Sequence, residues 1–277
     1  MPGAICALAL CEHTCRPLHP NALCPYPGLG SSPPHLVHTH SFKQAFVTNE
    51  TSYDYLLTWI VEPRSDSTQF PVRFLRDWGS RYAPDLAAGQ AFRWFTSQFV
   101  HVDINHVLSN MLLFFVLSMW MEIKYGTARI VVVWFVSILG AGFLSAAIES
   151  PCVQVVGASG GVSGLVGLFI ADMVLNFETV TRPIMRCVSA AILLGYFGYS
   201  AITNKQSSNI SHAGGLLCGL LPSFLILPNL KSERWEAALP LVGVLCVLGF
   251  FVVLPVWLYT VRFDGVIERC AAELAKG

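Results

Sequence analysis

Charge is what this chain has least of. Lys, Arg, Asp and Glu make up 12% of its 277 residues, roughly half the share found in soluble domains. The 17 basic and 17 acidic residues cancel, which gives no reason to propose nucleic acid or an acidic partner. Metal-ligand spacing is lacking too. Four of the nine cysteines (Cys6, Cys11, Cys15, Cys24) lie near His13 and His19 in the N-terminal tail without a CxxC pair, so neither a metal nor an organic cofactor is expected. The opening "MPGAICALALCEH" has no basic n-region and only a short apolar run, so it does not read as a signal peptide. No internal repeat is evident.

What is there is apolar: 54% of residues are hydrophobic. Uncharged runs close to the roughly 20 residues that cross a bilayer fall at Ile104–Met121, Ile130–Ile148, Val155–Ala171, Cys187–Asn204, Gln206–Leu230 and Ala237–Val261. The sequence therefore predicts an all-α polytopic membrane protein with about six visible transmembrane helices. Residues 1–90 read as irregular or disordered, rich in Pro, Ser and His. Within them Tyr55–Val61 is apolar but too short to span, and Asn49 opens a glycosylation sequon. Residues 91–230 read as the membrane core, and 231–277 as an additional C-terminal helix with a short tail.

Lys and Arg between spans mark cytosolic loops. Lys124 and Arg129 follow the first span, Arg182 and Arg186 the third, Lys231 and Arg234 the fifth. Odd-numbered spans then run inward, and their N-terminal ends share the outer leaflet. Every unusual polar residue sits at such an end: His101, His106 and Asn110 at span one, Ser159 at span three, His212 at span five. His106 and Asn110, four apart, share a helix face. His212, Gly215 and Gly219 share another, and Gly160 and Gly164 form a small-xxx-small pattern beside Ser159. Glycines of this kind let membrane helices approach closely. If the two glycine faces meet, Ser159 and His212 come together, which is the minimum for an activated nucleophile. From Ser159 to Asp172 a helix covers only about 20 Å, so Ser159 is expected below the outer surface in a wet cavity. Each feature also has a bland reading: glycines that only pack, a His106–Asn110 pair bonding across helices, a satisfied buried His212. Their concentration in one leaflet favours a site, because ionisable side chains inside a membrane are rare and functional by default.

In these residues the chain resembles the rhomboid intramembrane serine proteases. The likeness runs from about Phe92 to Leu230. "FRWFTSQFVHVDINHVLSN" is similar to the family's first loop and second helix, with Arg93, His101, His106 and Asn110 at its motif positions. "MEIKYG" places Glu122 and Gly126 at the matching helix end, "GASGGVSG" resembles Gly-x-Ser-Gly-x3-Gly, and "HAGGLLCG" resembles His-x2-Gly-x3-Gly. The resemblance implies a rhomboid-like helical bundle and a Ser159–His212 dyad without a third acid. It implies that His106, Asn110 and the Ser159 N–H stabilise the oxyanion, that Gly157 shapes the adjoining loop, and that Arg93 and Glu122 are structural. The substrates it implies are single-span transmembrane proteins cut in or near the outer leaflet, with membrane lipid as the surroundings. The single trailing helix is similar to the secretase-type arrangement, which favours the secretory pathway or plasma membrane over mitochondria.

Two departures stand out. The family's first transmembrane helix belongs upstream of Phe92, where no segment of this sequence is apolar enough, as though that helix were absent or the N-terminal sequence altered. The tyrosine that relatives often carry four residues after the nucleophile is Ser163 here, so His212 must be positioned by other packing. Ala158 stands where inactive relatives carry proline. Two rivals remain: a catalytically inactive rhomboid-like protein that binds membrane clients, and a transporter or channel. The second would need polar residues along a path to the cytosol, where only Asp172 departs from the one-leaflet cluster.

Overall fold

The computed structural model describes residues 70, 72–179, 182–203, 208–229 and 234–275. The expectations for the tail cysteines and histidines, for Tyr55–Val61 and for the Asn49 sequon fall outside these residues. Three short helices come first, α1 (Val72–Asp77), α2 (Ala83–Ala87) and α3 (Arg93–Thr96), none long enough to cross a bilayer. The bundle follows with α4 (Ile104–Tyr125), α5 (Thr127–Ile148), α6 (Ser159–Asn176), α7 (Pro183–Thr203), α8 (Asn209–Leu220) and α9 (Ser223–Ile226). A trailing helical segment, Glu236–Arg262, contains α10 (Leu239–Leu248) and α11 (Leu254–Trp257), each followed by a π-helical stretch. Helix α12 (Val266–Leu274) ends the described chain.

Local chemistry sets the boundaries. Asp103 caps α4 by accepting the His106 N–H at 2.7 Å, as short polar side chains do at helix starts. Gly126, at φ +81°, closes α4 and turns the chain into α5. Along α4 the residues Leu108, Leu112, Phe115, Met119 and Ile123 are exposed while Asn110, Leu117, Met121 and Tyr125 are buried. That stripe at steps of three and four is a helix with one face to lipid and one to the bundle. Helix α6 is central, with Val162, Leu165, Val166 and Leu168 at 0% exposure. It packs on α8 through bare backbone: a Cβ at Gly215 would lie 1.9 Å from the Gly160 carbonyl oxygen, and one at Gly219 would lie 1.9 Å from that of Gly164. A second core at one end gathers Tyr82, Leu86, Trp94, Phe143, Leu258, Phe263 and Val266. There the trailing segment is fastened by a Trp94–Tyr259 hydrogen bond of 3.0 Å and by the Cys152–Cys270 disulfide.

Among the described residues five helices are long and apolar enough to span a membrane, in keeping with an all-α polytopic bundle. The remaining run, Cys187–Asn204, falls largely on α7, itself a 21-residue helix. One expectation needs correction. Helix α6 does not stop near Asp172 but runs 18 residues, about 27 Å, which removes the shortness used to argue the depth of Ser159. Asp172 misleads because it is buried and neutralised. Lys124 Nζ (2.6 Å), Arg186 Nη1 (2.7 Å), Asn176 Nδ2 (3.1 Å) and the Tyr125 hydroxyl all donate to it. Removing the carboxylate leaves two cations unpaired among low-dielectric neighbours. We expect Asp172→Ala to cost about 3 kcal/mol, the lower end for breaking a buried pair because both cations keep partial solvent access. The unfolding midpoint in detergent checks this, and Asp172→Asn should recover part of the loss.

Candidate active site

Ser159 is the first residue of α6, so its own N–H and that of Gly160 have no carbonyl one turn back to bond. The preceding loop is strapped down on both sides. Arg81 and Val155 exchange both backbone hydrogen bonds, at 3.0 and 2.9 Å, and the Gly157 N–H donates to the Ser97 carbonyl at 2.9 Å. The Ala158 N–H donates to His101 Nε2 at 3.3 Å. Burial, with the His106 charge adding to it, pushes His101 down to about 4. The ring is therefore neutral at physiological pH, and one nitrogen is free to accept. His101 is thus a loop anchor.

Gly157 adopts φ +111°, a conformation that favours glycine. A Cβ there would also lie 2.7 Å from His106 Cε1, so the glycine is what lets the His106 ring lie against the loop. Across the bundle, His212 sits on the first turn of α8, whose N-cap is Ser208. His212 Nε2 lies 2.8 Å from Ser159 Oγ. Both residues are only partly buried. Three buried side-chain polar atoms lack a hydrogen-bond partner among the described residues: His106 Nδ1, Asn110 Nδ2 and Gln98 Oε1. His106 and Asn110 are one turn apart on α4, and the His106 ring lies against the loop that carries Ser159. Unsatisfied buried groups cost stability and call for an explanation.

Of the residues singled out in the sequence, Ser159, His212, His106, Gly157 and His101 converge here, with Gly160, Gly164, Gly215 and Gly219 forming the α6–α8 seam below. Arg93 and Glu122 stand apart. Arg93 donates to Gln90 and to the Arg76 and Ser80 carbonyls, and pairs with Asp85 at 3.5 Å. Glu122 accepts from Thr127 Oγ1 at the far end of α4. Ser163, at the position of the relatives' tyrosine, donates to the Gly160 carbonyl at 2.8 Å. The aromatic neighbour of His212 is instead Phe197 of α7, edge-on at 5.3 Å between ring centroids. No sequence signal singled out Phe197, one aromatic in an apolar run. A cavity of about 220 Å³ opens between α7 and α8, lined by Ser163, Leu194, Phe197, Asn209, His212 and Leu216. His212 thus faces both the serine and an apolar cleft between helices.

A serine at a helix N-terminus with an imidazole at 2.8 Å, and unpaired donors one loop away, can carry out nucleophilic acyl transfer. Residues 88–229 match the Rhomboid domain, just over half the chain. The Toxoplasma gondii Rhomboid-like protease 1 is 24% identical over 219 residues, which are 75% of this chain and 72% of that protein. The Toxoplasma gondii Rhomboid-like protease 5 is 28% identical over 53% of this chain and 18% of its own length. Human Rhomboid-related protein 3 is 27% identical over 57% of this chain and 42% of its own length. Against the last two, the chain spans less than half of the relative. With five apolar helices of spanning length among the described residues, this is an integral membrane protein. By the domain that covers residues 88–229, with its helices and site on one bundle, the chain belongs to the rhomboid family.

Proposed function

We propose that this protein is an intramembrane serine endopeptidase that cleaves single-span transmembrane proteins in or near the outer leaflet. The observation that carries it is the 2.8 Å contact between Ser159 Oγ and His212 Nε2. In this reading His212 takes the Ser159 proton as the hydroxyl oxygen attacks the scissile carbonyl. It then returns that proton to the leaving amine, and the acyl-serine is released by water in a second round. The tetrahedral oxyanion forms next to the α6 N-terminus. The Ser159 N–H, His106 and the Asn110 amide supply donors there, with Gly157 holding the loop open. Such groups count for more in a shielded site than in water. The two unpaired nitrogens on α4 fit that role, since the oxyanion would satisfy what the fold leaves unsatisfied.

The cleft between α7 and α8 gives a helical substrate a way toward His212 from the side of the bundle, where lipid would lie. A peptide bond must leave its helix before it can be attacked, so small and helix-breaking residues in the substrate favour cleavage. The disulfide Cys152–Cys270 joins the Ser159 loop to α12. A bond of this kind persists on the oxidising side of a membrane, which supports an outward-facing site and the secretory pathway or cell surface as its location. A serine-reactive fluorophosphonate tests the nucleophile directly. Purified protein should be labelled covalently, and Ser159→Ala should abolish the label. Intact labelling of Ser159→Ala defeats the reading, and an unlabelled but well-folded parent points to a client-binding relative.

A further inference from the structure

Two segments must hold still for the serine–histidine contact to persist: the loop that leads to Ser159, and the first turn of α8. Both are tied to one side chain. Glu149 ends α5, and its Oε1 accepts the hydroxyl of Ser208 at 2.7 Å. Ser208 is the N-cap of α8. Its Oγ accepts the Ser211 N–H at 3.1 Å and its carbonyl accepts the His212 N–H at 3.1 Å. Because a hydroxyl has one hydrogen to give, donating it to Glu149 fixes the direction of the cap and with it the turn that carries His212.

The other carboxylate oxygen of Glu149 accepts from Ser145 Oγ and lies 3.8 Å from Arg81 Nη2. Arg81 is 6% exposed. Its guanidinium donates to the Ser145 hydroxyl and to the Gly142 carbonyl at 3.1 Å. Its backbone is the strand-like partner of Val155, four residues before Ser159. The main chain of Glu149 is gripped too: its carbonyl accepts Arg262 Nη2 at 2.7 Å.

We propose that Glu149 is a positioning residue for the active site, holding the His212 turn and the Ser159 loop in one hydrogen-bonded frame through Ser208 and Arg81. It does not touch a reacting atom. The inference rests on the protease reading above, and it accounts for how a histidine with no acid of its own keeps a fixed place. The contact that matters is the hydrogen bond to Ser208, which an uncharged carboxamide can also accept.

The test uses the full chain in proteoliposomes with a single-span reporter substrate. Glu149→Ala is expected to lower kcat on the order of 10-fold, the scale of a sub-ångström misplacement of a reacting group, with KM within about twofold of the parent. Glu149→Gln should keep at least about half of the parent kcat. Ser208→Gly removes the same contact from the other side while remaining an acceptable cap. It should resemble Glu149→Ala, and the double variant should be no worse than the poorer single one, since both delete one interaction. Full activity of Glu149→Ala overturns the proposal, as do equal losses in the Ala and Gln variants or multiplicative losses in the double. Should Glu149→Ala fail to fold, Ser208→Gly and Glu149→Gln still decide. A parent without Ser159-dependent cleavage sinks the protease reading itself, whereas an active parent with an indifferent Glu149 sinks only this inference.

Discussion

Ser159→Ala should reduce cleavage of a single-span reporter in proteoliposomes by at least about 10⁴-fold in kcat, and His212→Ala by a similar factor. The alanine keeps the backbone N–H at the start of α6 and leaves the His101 and Ser97 straps untouched, so the loop has no reason to rearrange. What disappears is the oxygen 2.8 Å from His212 Nε2. The neighbouring hydroxyls are poor substitutes. Ser163 donates to the Gly160 carbonyl, and Ser211 is buried at 8% exposure, its hydroxyl packed against Gly160. Because the serine and histidine act as a unit, the double variant should be about as slow as either single one. Gel-resolved product formation under single-turnover conditions is the measurement. Cleavage by Ser159→Ala at the parent rate would end the protease case.

The second large effect lies below the site. Gly219→Ala places a methyl group 1.9 Å from the Gly164 carbonyl oxygen and 2.5 Å from its carbonyl carbon, where ordinary contact begins at 3.4 Å. Both partners are helix backbone, so no side chain can swing aside, and α6 and α8 must part by about 1.5 Å to accept it. The serine–histidine separation would then pass 4 Å, beyond hydrogen-bond reach. We expect loss of activity together with a stability penalty of about 3 kcal/mol, the upper end for overpacking. Gly215→Ala meets the Gly160 carbonyl in the same way. Gly195→Ala and Gly198→Ala on α7, where a Cβ meets nothing within 4 Å, provide the contrast. They should keep the fold and gain slightly in helix propensity. A Gly219→Ala protein with the parent midpoint and rate would contradict the seam as described.

These glycines show why part of the architecture can be read from the sequence. A membrane helix needs about 20 uncharged residues, and a close crossing needs small residues at steps of four. Both patterns are local in the chain and survive in its order. The same holds for the polar residues at the N-terminal ends of α4, α6 and α8, where helix parity alone gathers them. What is not local is not legible. Phe197 reaches His212 from α7, but an aromatic in an apolar run carries no mark of the direction it faces. Glu149 looks like an ordinary loop carboxylate until Ser208, 59 residues away, is folded against it. Asp172 misleads for the opposite reason: a charge in the sequence reads as a membrane boundary, and only the fold brings Lys124 and Arg186 to cancel it.

The bridge between Cys152 and Cys270 has a covalent consequence. The two cysteines are 118 positions apart, and the ring they close encloses Ser159, His212 and every helix from α6 to α11. A nick anywhere within that ring, by a foreign protease or by the protein acting on itself, leaves one molecule on a non-reducing gel. Two pieces separate only once a thiol is added.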